Sequence, residues 1–415
     1  MLKSVLRNGI SQSINVIGRA RRTILAAPSI SRHACLLAPA WQGSLGDQAV
    51  ITAAVQHLRG NGIESISLIG FDQTPPWENI AHIDNRIAIP DFFKTGGWPE
   101  RWQLTRDFLA FDRFYLLGTD MLDGHYTGWH TDGLLKIARQ AATSGIPTNV
   151  VGFSLKDCPL ESAIRGLHGL ESCHNTTMCV RDQISLTRYR RFVGREAVLT
   201  ADPAFLLEPD TSPHSSRDWL RSQASESDLR IGLNLSSHVY DGLSAPEQEQ
   251  IVVAIRESVR ALSVGRKNVT VLLIPHDIRK DFDDLRLCQL LYRAIGDIPE
   301  IQAHVLEAPY SPGIIKSIVA ELDFVLSSRM HLAIACLGAG TPVGCITYQG
   351  KFEGLFQHFG ISDCTISPED ALSPSTLQAF VRNRVESRAT LVSQISTALV
   401  DVTRLSERNF RVGTR

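Results

Sequence analysis

The chain has 415 residues, with 42 Lys+Arg against 43 Asp+Glu and a net charge of −1. Its 43% hydrophobic and 20% charged residues suit a globular protein that buries real cores, and the charge balance argues against a general nucleic-acid binder, which carries a basic stripe. The length suggests two or three domains, and no apolar run approaches the ~18–20 residues needed to cross a bilayer.

Residues 1–46 hold six basic residues (Lys3, Arg7, Arg19, Arg21, Arg22, Arg32) and no acidic one. No continuous apolar stretch follows, which speaks against a secretory signal. Two readings of residues 1–32 remain: a basic amphipathic arm in peripheral contact with the inner face of a membrane, or a short solvated helix leading into the first strand. The second is the expectation. Eight scattered cysteines without a C-x-x-C pair point to reduced thiols in a cytoplasmic compartment, with neither a zinc site nor a disulfide framework.

Short apolar runs then alternate with amphipathic ones. Strands are predicted at 34–38, 65–69, 113–117, 148–153, 177–180 and 197–199, with helices such as 48–59 and 131–144 between them. This alternation predicts βαβ units and a parallel sheet, giving a first Rossmann-like domain over 33–207. The polar, proline-broken stretch 208–227 suits a linker. The pattern restarts over 228–372, with strands at 230–235, 269–274, 303–306, 323–326 and 343–347 and helices at 247–262, 281–294 and 330–337. From Ser373, which can cap a helix with Pro374 at its first position, apolar residues recur at helical spacing through Val402, so 373–415 reads as a closing helix and tail. The expected architecture is α/β, with two Rossmann-like domains facing a cleft.

In open parallel sheets, ligands bind beyond the carboxyl ends of the strands. The second half places polar side chains there four times: His276 after Leu272-Leu-Ile-Pro, Glu307 after His304-Val-Leu, Ser327-Ser328-Arg329-Met-His331 after Phe324-Val-Leu, and Tyr348-Gln-Gly-Lys351 after Cys345-Ile-Thr. Ser327 or Ser328 can cap the next helix, leaving Arg329 and His331 in its first turn. Backbone N–H groups and the helix dipole there favour an anion, and a guanidinium matches carboxylate or phosphate geometry. A surface bridge to Asp323 and a space-filling histidine are the competing reading. For His276, a core histidine bonded to backbone competes on even terms. Lys351 sits at a helix start, where a cation asks for an anionic partner.

In the first half, Trp41-Gln-Gly43-Ser-Leu-Gly46-Asp47 follows the first strand and opens a helix. It is neither a dinucleotide fingerprint nor a Walker loop. Its glycines allow close approach to a ligand, and Asp47 is either a helix cap or a group for sugar hydroxyls. Gly118-Thr-Asp120-Met-Leu-Asp123 follows another strand, with acids suited to hydroxyl contacts or to turns. Arg181 points to the cleft or pairs with an acid, and Asp182 reads as an N-cap.

These residues resemble those of the polysaccharide pyruvyl transferase family. The resemblance rests on Gly43-Ser-Leu-Gly46-Asp47, Val180-Arg-Asp-Gln-Ile-Ser185, Ala201-Asp-Pro-Ala-Phe205, Ile274-Pro-His276, Ser328-Arg-Met-His331 and Tyr348-Gln-Gly-Lys351, in the family's order over 33–360. Two departures lie in the first half: Ser44 stands where the family usually has Asn, and Gly118-Thr-Asp-Met-Leu replaces a run of glycines. The family is similar in fold to B-type glycosyltransferases. It implies an exopolysaccharide-biosynthesis transferase that moves pyruvate from phosphoenolpyruvate to two hydroxyls of a sugar or lipid-linked oligosaccharide, making a cyclic ketal. The second domain would be the donor side and the first the acceptor side. His331, Arg329 and His276 would be catalytic, and Arg181, Lys351, Ser328, Gly43, Gly46, Asp47 and Asp120 substrate-binding. Neither a metal nor a cofactor is called for. A B-type glycosyltransferase using a nucleotide sugar is the alternative, and a non-catalytic sugar-binding protein the third reading.

Overall fold

The computed structural model describes residues 32–73, 75–92, 104, 107–223, 228–347, 350 and 352–411. The basic arm, apart from Arg32, therefore lies outside the described residues, as do Tyr348 and Lys351. The chain divides into two compact units: one of Met1–Gln42, Val50–Leu206 and Arg404–Arg415, the other of Gly43–Ala49 and Leu207–Thr403. Among the described residues, no helix is long and apolar enough to cross a membrane.

The first unit is built on a seven-stranded sheet in the order β3-β2-β1-β4-β5-β6-β7. Its strands are β1 His33–Leu37, β2 Ser65–Gly70, β3 Asn85–Ala88, β4 Arg113–Leu117, β5 Thr148–Phe153, β6 Thr176–Val180 and β7 Val198–Leu199. Each pairing is parallel. The central strands β1, β4 and β5 are almost wholly buried, as a parallel sheet covered on both faces requires. Their Leu, Val and Phe side chains join helix residues such as Leu134, Ile137 and Leu167 in one core.

The second unit repeats the plan with six strands in the order β10-β9-β8-β11-β12-β13: β8 Leu229–Leu233, β9 Val269–Leu273, β10 Ile301–Val305, β11 Phe324–Ser327, β12 Val343–Ile346 and β13 Thr365–Ile366. Both sheets are thus doubly wound. The direction of winding reverses between β1 and β4 in one, and between β8 and β11 in the other, and such switch points are where these folds leave room for ligands.

Each of two stretches carries one helix more than expected. The polar run 208–227 holds a helix, Ser215–Gln223, because its Leu220 and the Arg217 stem find buried positions. His304 stacks on Trp219 from this helix at 4.6 Å, whereas the carboxylate of Glu307 stays exposed and accepts from Ser215 Oγ at 2.5 Å. The tail is two helices, Pro374–Glu386 and the longer Arg388–Glu407. Ser373 caps the first through Thr376 N at 3.4 Å, and Ser387 closes it by donating its hydroxyl to Asn383 O at 2.8 Å. The chain's last turn returns to the first unit, where buried Asn409 accepts from Gly152 N and donates to Ala201 O, each at 2.8 Å.

Candidate active site

At the switch point of the second sheet, one amide ties three strand ends together. Asn234, just past β8, donates to Ile274 O beyond β9 at 2.9 Å and accepts from Ser327 Oγ and Ser328 N, past β11, at 3.3 Å each. Neither serine caps the following helix, as the sequence suggested. Arg329 itself takes the extended cap conformation before Met330–Gly338, while Ser327 Oγ accepts from Arg329 N at 3.0 Å and Ser328 Oγ accepts from Ser236 N at 2.6 Å. Ser328 is fully buried and acts as a brace for the β8 loop.

Arg329 points from that cap into two carboxylates. Its Nε and Nη2 engage Asp284 at 3.0 and 2.6 Å, and its Nη1 lies 3.3 Å from Asp277. Ser237 Oγ and Phe282 O each accept from Nη2 at 3.1 Å. A donor clamp built on Arg329 therefore shares its charge with these aspartates. Asp277 in turn takes Arg279 Nε at 2.9 Å and Nη2 at 2.6 Å. Burial of Arg279 works against its charge, but its bonds to Asp277 and the nearby Asp47 carboxylate prevail and raise its pKa. Arg279 is the more open of the two guanidiniums, with 29% of its side chain exposed against 10% for Arg329.

The glycine motif joins this cluster. Gly43–Ala49 belongs to the second unit, and Ser44 forms a bridge with Asp277. Ser44 rather than Asp47 caps the helix Leu45–Gly60, its Oγ accepting from Asp47 N at 3.2 Å. Both glycines were expected to make room for a ligand; the structure gives that room to protein. A Cβ on Gly43, whose φ is +119°, would stand 2.4 Å from Arg279 Cγ, and one on Gly46 would stand 2.4 Å from His331 Nδ1. His331, half-buried in the first helical turn, is thus seated against the Gly46 backbone.

His276 is 4% exposed. Burial pushes its imidazole well below the usual range, and the charges of His331 and Arg329 push it the same way. An unfolded chain takes up a proton at this position below about pH 6.5, whereas the folded chain does not. Its contribution to stability is therefore complete above that pH and declines as the pH falls below it. His276→Gln is expected to flatten the acid side of the stability curve, by up to ~1.4 kcal/mol per pH unit, in urea titrations between about pH 5 and 6.5. Parallel curves for the two chains would contradict this.

Three of the residues singled out in the sequence belong to the first unit. Arg181 is buried, with Nη1 on Asp202 at 3.1 Å and Nη2 on Ser154 Oγ at 2.8 Å, the acid-paired alternative of the two readings. Asp182 is an N-cap, accepting from Ser185 N at 2.6 Å. Asp120 follows β4 and accepts from Tyr126 OH at 3.0 Å. The residues that sequence reasoning passed over are Asn234, Asp277, Arg279 and Asp284; the adjacency of Asp277 to His276 was the one available signal. A cavity of about 770 Å³ beside Glu171, Arg190 and Val198 holds none of these groups.

A family model described as polysaccharide pyruvyl transferase matches residues 45–350. The chain belongs to the polysaccharide pyruvyl transferase family. Membership makes it an enzyme of that family, and the matched span takes in β2 to β12, with β1 before it and β13 after it. Comparison with curated proteins gives no match. Among solved structures, the chain is similar to the UDP-GlcNAc 2-epimerase from Neisseria meningitidis bound to UDP-GlcNAc, at 10% identity and a TM-score of 0.58, covering 90% of this chain and 99% of that one. It is also similar to S. aureus MnaA with UDP, at 9% identity and 0.57 over 88% and 91%, and to Anabaena Alr3699/HepE with UDP and glucose, at 14% identity and 0.55 over 91% and 98%. At these identities the likeness is one of fold, that of B-type glycosyltransferases and related epimerases.

Proposed function

We propose that this family member transfers the pyruvyl group of phosphoenolpyruvate to two hydroxyls of one sugar residue, in a polysaccharide or its lipid-linked precursor, as a cyclic ketal. The observation that carries the reading is the grouping of His331, His276, Arg279 and Arg329 around the ends of β8, β9 and β11. The donor brings a carboxylate and a phosphate. Arg279 and Arg329, with the positive end of the helix Met330–Gly338, supply the positive field such a ligand asks for, and Lys351 is a further cation for it.

Two C–O bonds form at the central carbon of the donor and its bond to the phosphate oxygen breaks. Of the two hydroxyl protons, one goes to the methylene carbon, making a methyl, and the other leaves with phosphate. His331 is assigned the proton transfer, since an imidazole works near neutral pH, and His276 is the neutral imidazole beside it. Asp47, next to Arg279, holds the edge where sugar hydroxyls enter, while the first unit, with Asp120, is the acceptor side. The reading places its action in the cytoplasm, with peripheral contact at the inner face of the membrane where the acceptor is lipid-linked.

Incubation with phosphoenolpyruvate and candidate oligosaccharides should release phosphate and add the mass of a pyruvyl ketal to the glycan. A nucleotide-sugar transferase is favoured by one observation, the UDP held by structures of similar fold. Thermal shifts separate the two: stabilisation by phosphoenolpyruvate supports the first, and stabilisation by UDP-sugars alone replaces it with the second.

A further inference from the structure

We propose that the carboxyl ends of β1 and β4, the switch point of the first sheet, carry a carbohydrate-stacking platform made of Trp41, Trp129 and Tyr126, with Asp120 at its rim. The three rings are exposed by 37%, 53% and 37%, an unusual amount of aromatic surface to leave to water at one place.

The rings are held rather than loose. Trp41 Nε1 donates to Phe71 O at 3.1 Å, and its ring lies 5.0 Å from that of His130 and 6.1 Å, edge-on, from that of Trp129. His130 is fully buried, and its Nε2 is bonded to Pro39 O at 2.7 Å, which fixes the wedge on which both indoles rest. Tyr126 is anchored through its hydroxyl to Asp120, with the Lys156 ammonium 5.8 Å from its ring centre. Buried Asp123 accepts from His125 N at 2.9 Å and Lys156 N at 3.2 Å, closing the loop that presents Tyr126. At the root of this loop Thr119 has φ +44°, a conformation that costs energy in a residue with a side chain and gathers where function requires it.

Rigid rings bind at low entropic cost. Flat apolar faces bordered by a carboxylate and an ammonium match a pyranose, which offers C–H groups on one face and hydroxyls at its edge. A phosphorylated ligand fits less well beside Asp120 and Asp123. Position agrees, because open α/β sheets bind ligands at this point. The inference rests on the reading of a polysaccharide acceptor and specifies how it is gripped: by sugar rings flanking the reacting one.

The test is a titration of tryptophan emission with cellotetraose, galactotetraose and mannotetraose, without phosphoenolpyruvate. The wild-type chain should show saturable binding of at least one. Trp129→Ala and Trp41→Ala should each weaken it about tenfold, a loss of ~1.4 kcal/mol, with Trp129→Phe retaining most of it. With donor present, the same alanine variants should raise KM for the glycan and leave KM for phosphoenolpyruvate in place. Absence of binding to all three glycans overturns the platform, as does unchanged affinity in Trp129→Ala. So does sedimentation of the wild-type chain as a dimer that Trp129→Ala makes monomeric, which would assign the rings to self-association. Glycan binding through Trp129 with no phosphate released from phosphoenolpyruvate would leave the platform standing and remove pyruvyl transfer.

Discussion

Truncating Arg329 to alanine is expected to cost about 3–5 kcal/mol of stability and to abolish turnover. The size follows from what the guanidinium leaves behind. Asp284 is fully buried and is met by both Nε and Nη2 of Arg329, while its remaining partners are neutral: Asn234 Nδ2 and the backbone N–H groups of Ser237 and His276, all at 3.2 Å. Without the cation, a carboxylate stays in the interior with hydrogen bonds but no counter-charge. Asp277 keeps Arg279 and loses less. Arg329→Lys retains charge and loses the fork geometry, so its deficit should be smaller. The double replacement Arg329→Met with Asp284→Asn removes both charges while keeping an acceptor for the neutral donors, and is expected to recover part of the stability and none of the activity. Urea unfolding and phosphate release, measured on the same preparations, separate the two consequences. An Arg329→Ala chain that unfolds at the wild-type midpoint would show that water, not the guanidinium, satisfies these aspartates.

That network also marks where the sequence could be read and where it could not. Runs such as Arg113–Leu117 and Thr148–Phe153 coincide with β4 and β5, because a strand buried on both faces is apolar along its whole length. The edge strands β3 and β13, of sequence Asn-Arg-Ile-Ala and Thr-Ile, went unseen. They are short, and β3 is half-exposed, so backbone pairing defines them and leaves little trace in composition. The Ser-Ser-Arg-Met-His segment was found because chemistry and spacing coincide in five adjacent residues. Asp284 was not, since its partner lies 45 positions away and Asp283-Asp284 before a helix reads as ordinary capping. The glycines are legible as positions of close approach, but not what approaches them. A sequence shows that a Cβ is missing at 43 and 46, but only the fold shows that Arg279 and His331 occupy the space. Trp41 was read as part of the glycine motif, and its pairing with Trp129 arises only when β1 and the helix Gly128–Thr143 are brought together.

Replacing His331 with alanine is expected to slow phosphate release by about 10²–10⁴-fold, the usual worth of a positioned acid or base, with the melting curve little changed because the ring is only half-buried. A loss of this size could also come from general damage to the β11 end, so a second variant isolates the ring's position. In Gly46→Ala the new methyl would stand 2.4 Å from His331 Nδ1 and 2.8 Å from its Cγ, closer than any real Cβ contact, so the imidazole has to swing away. A displacement near 1 Å is enough for about 10²-fold in rate. Since the alanine at 46 acts through the ring at 331, its effect should vanish once that ring is gone: the double variant should be no slower than His331→Ala alone. Single-turnover rates with phosphoenolpyruvate, and circular dichroism to confirm the fold, decide the matter. Wild-type turnover in His331→Ala would take proton transfer away from this residue. Additive losses in the double variant would mean that Gly46 serves something other than the seat of the imidazole.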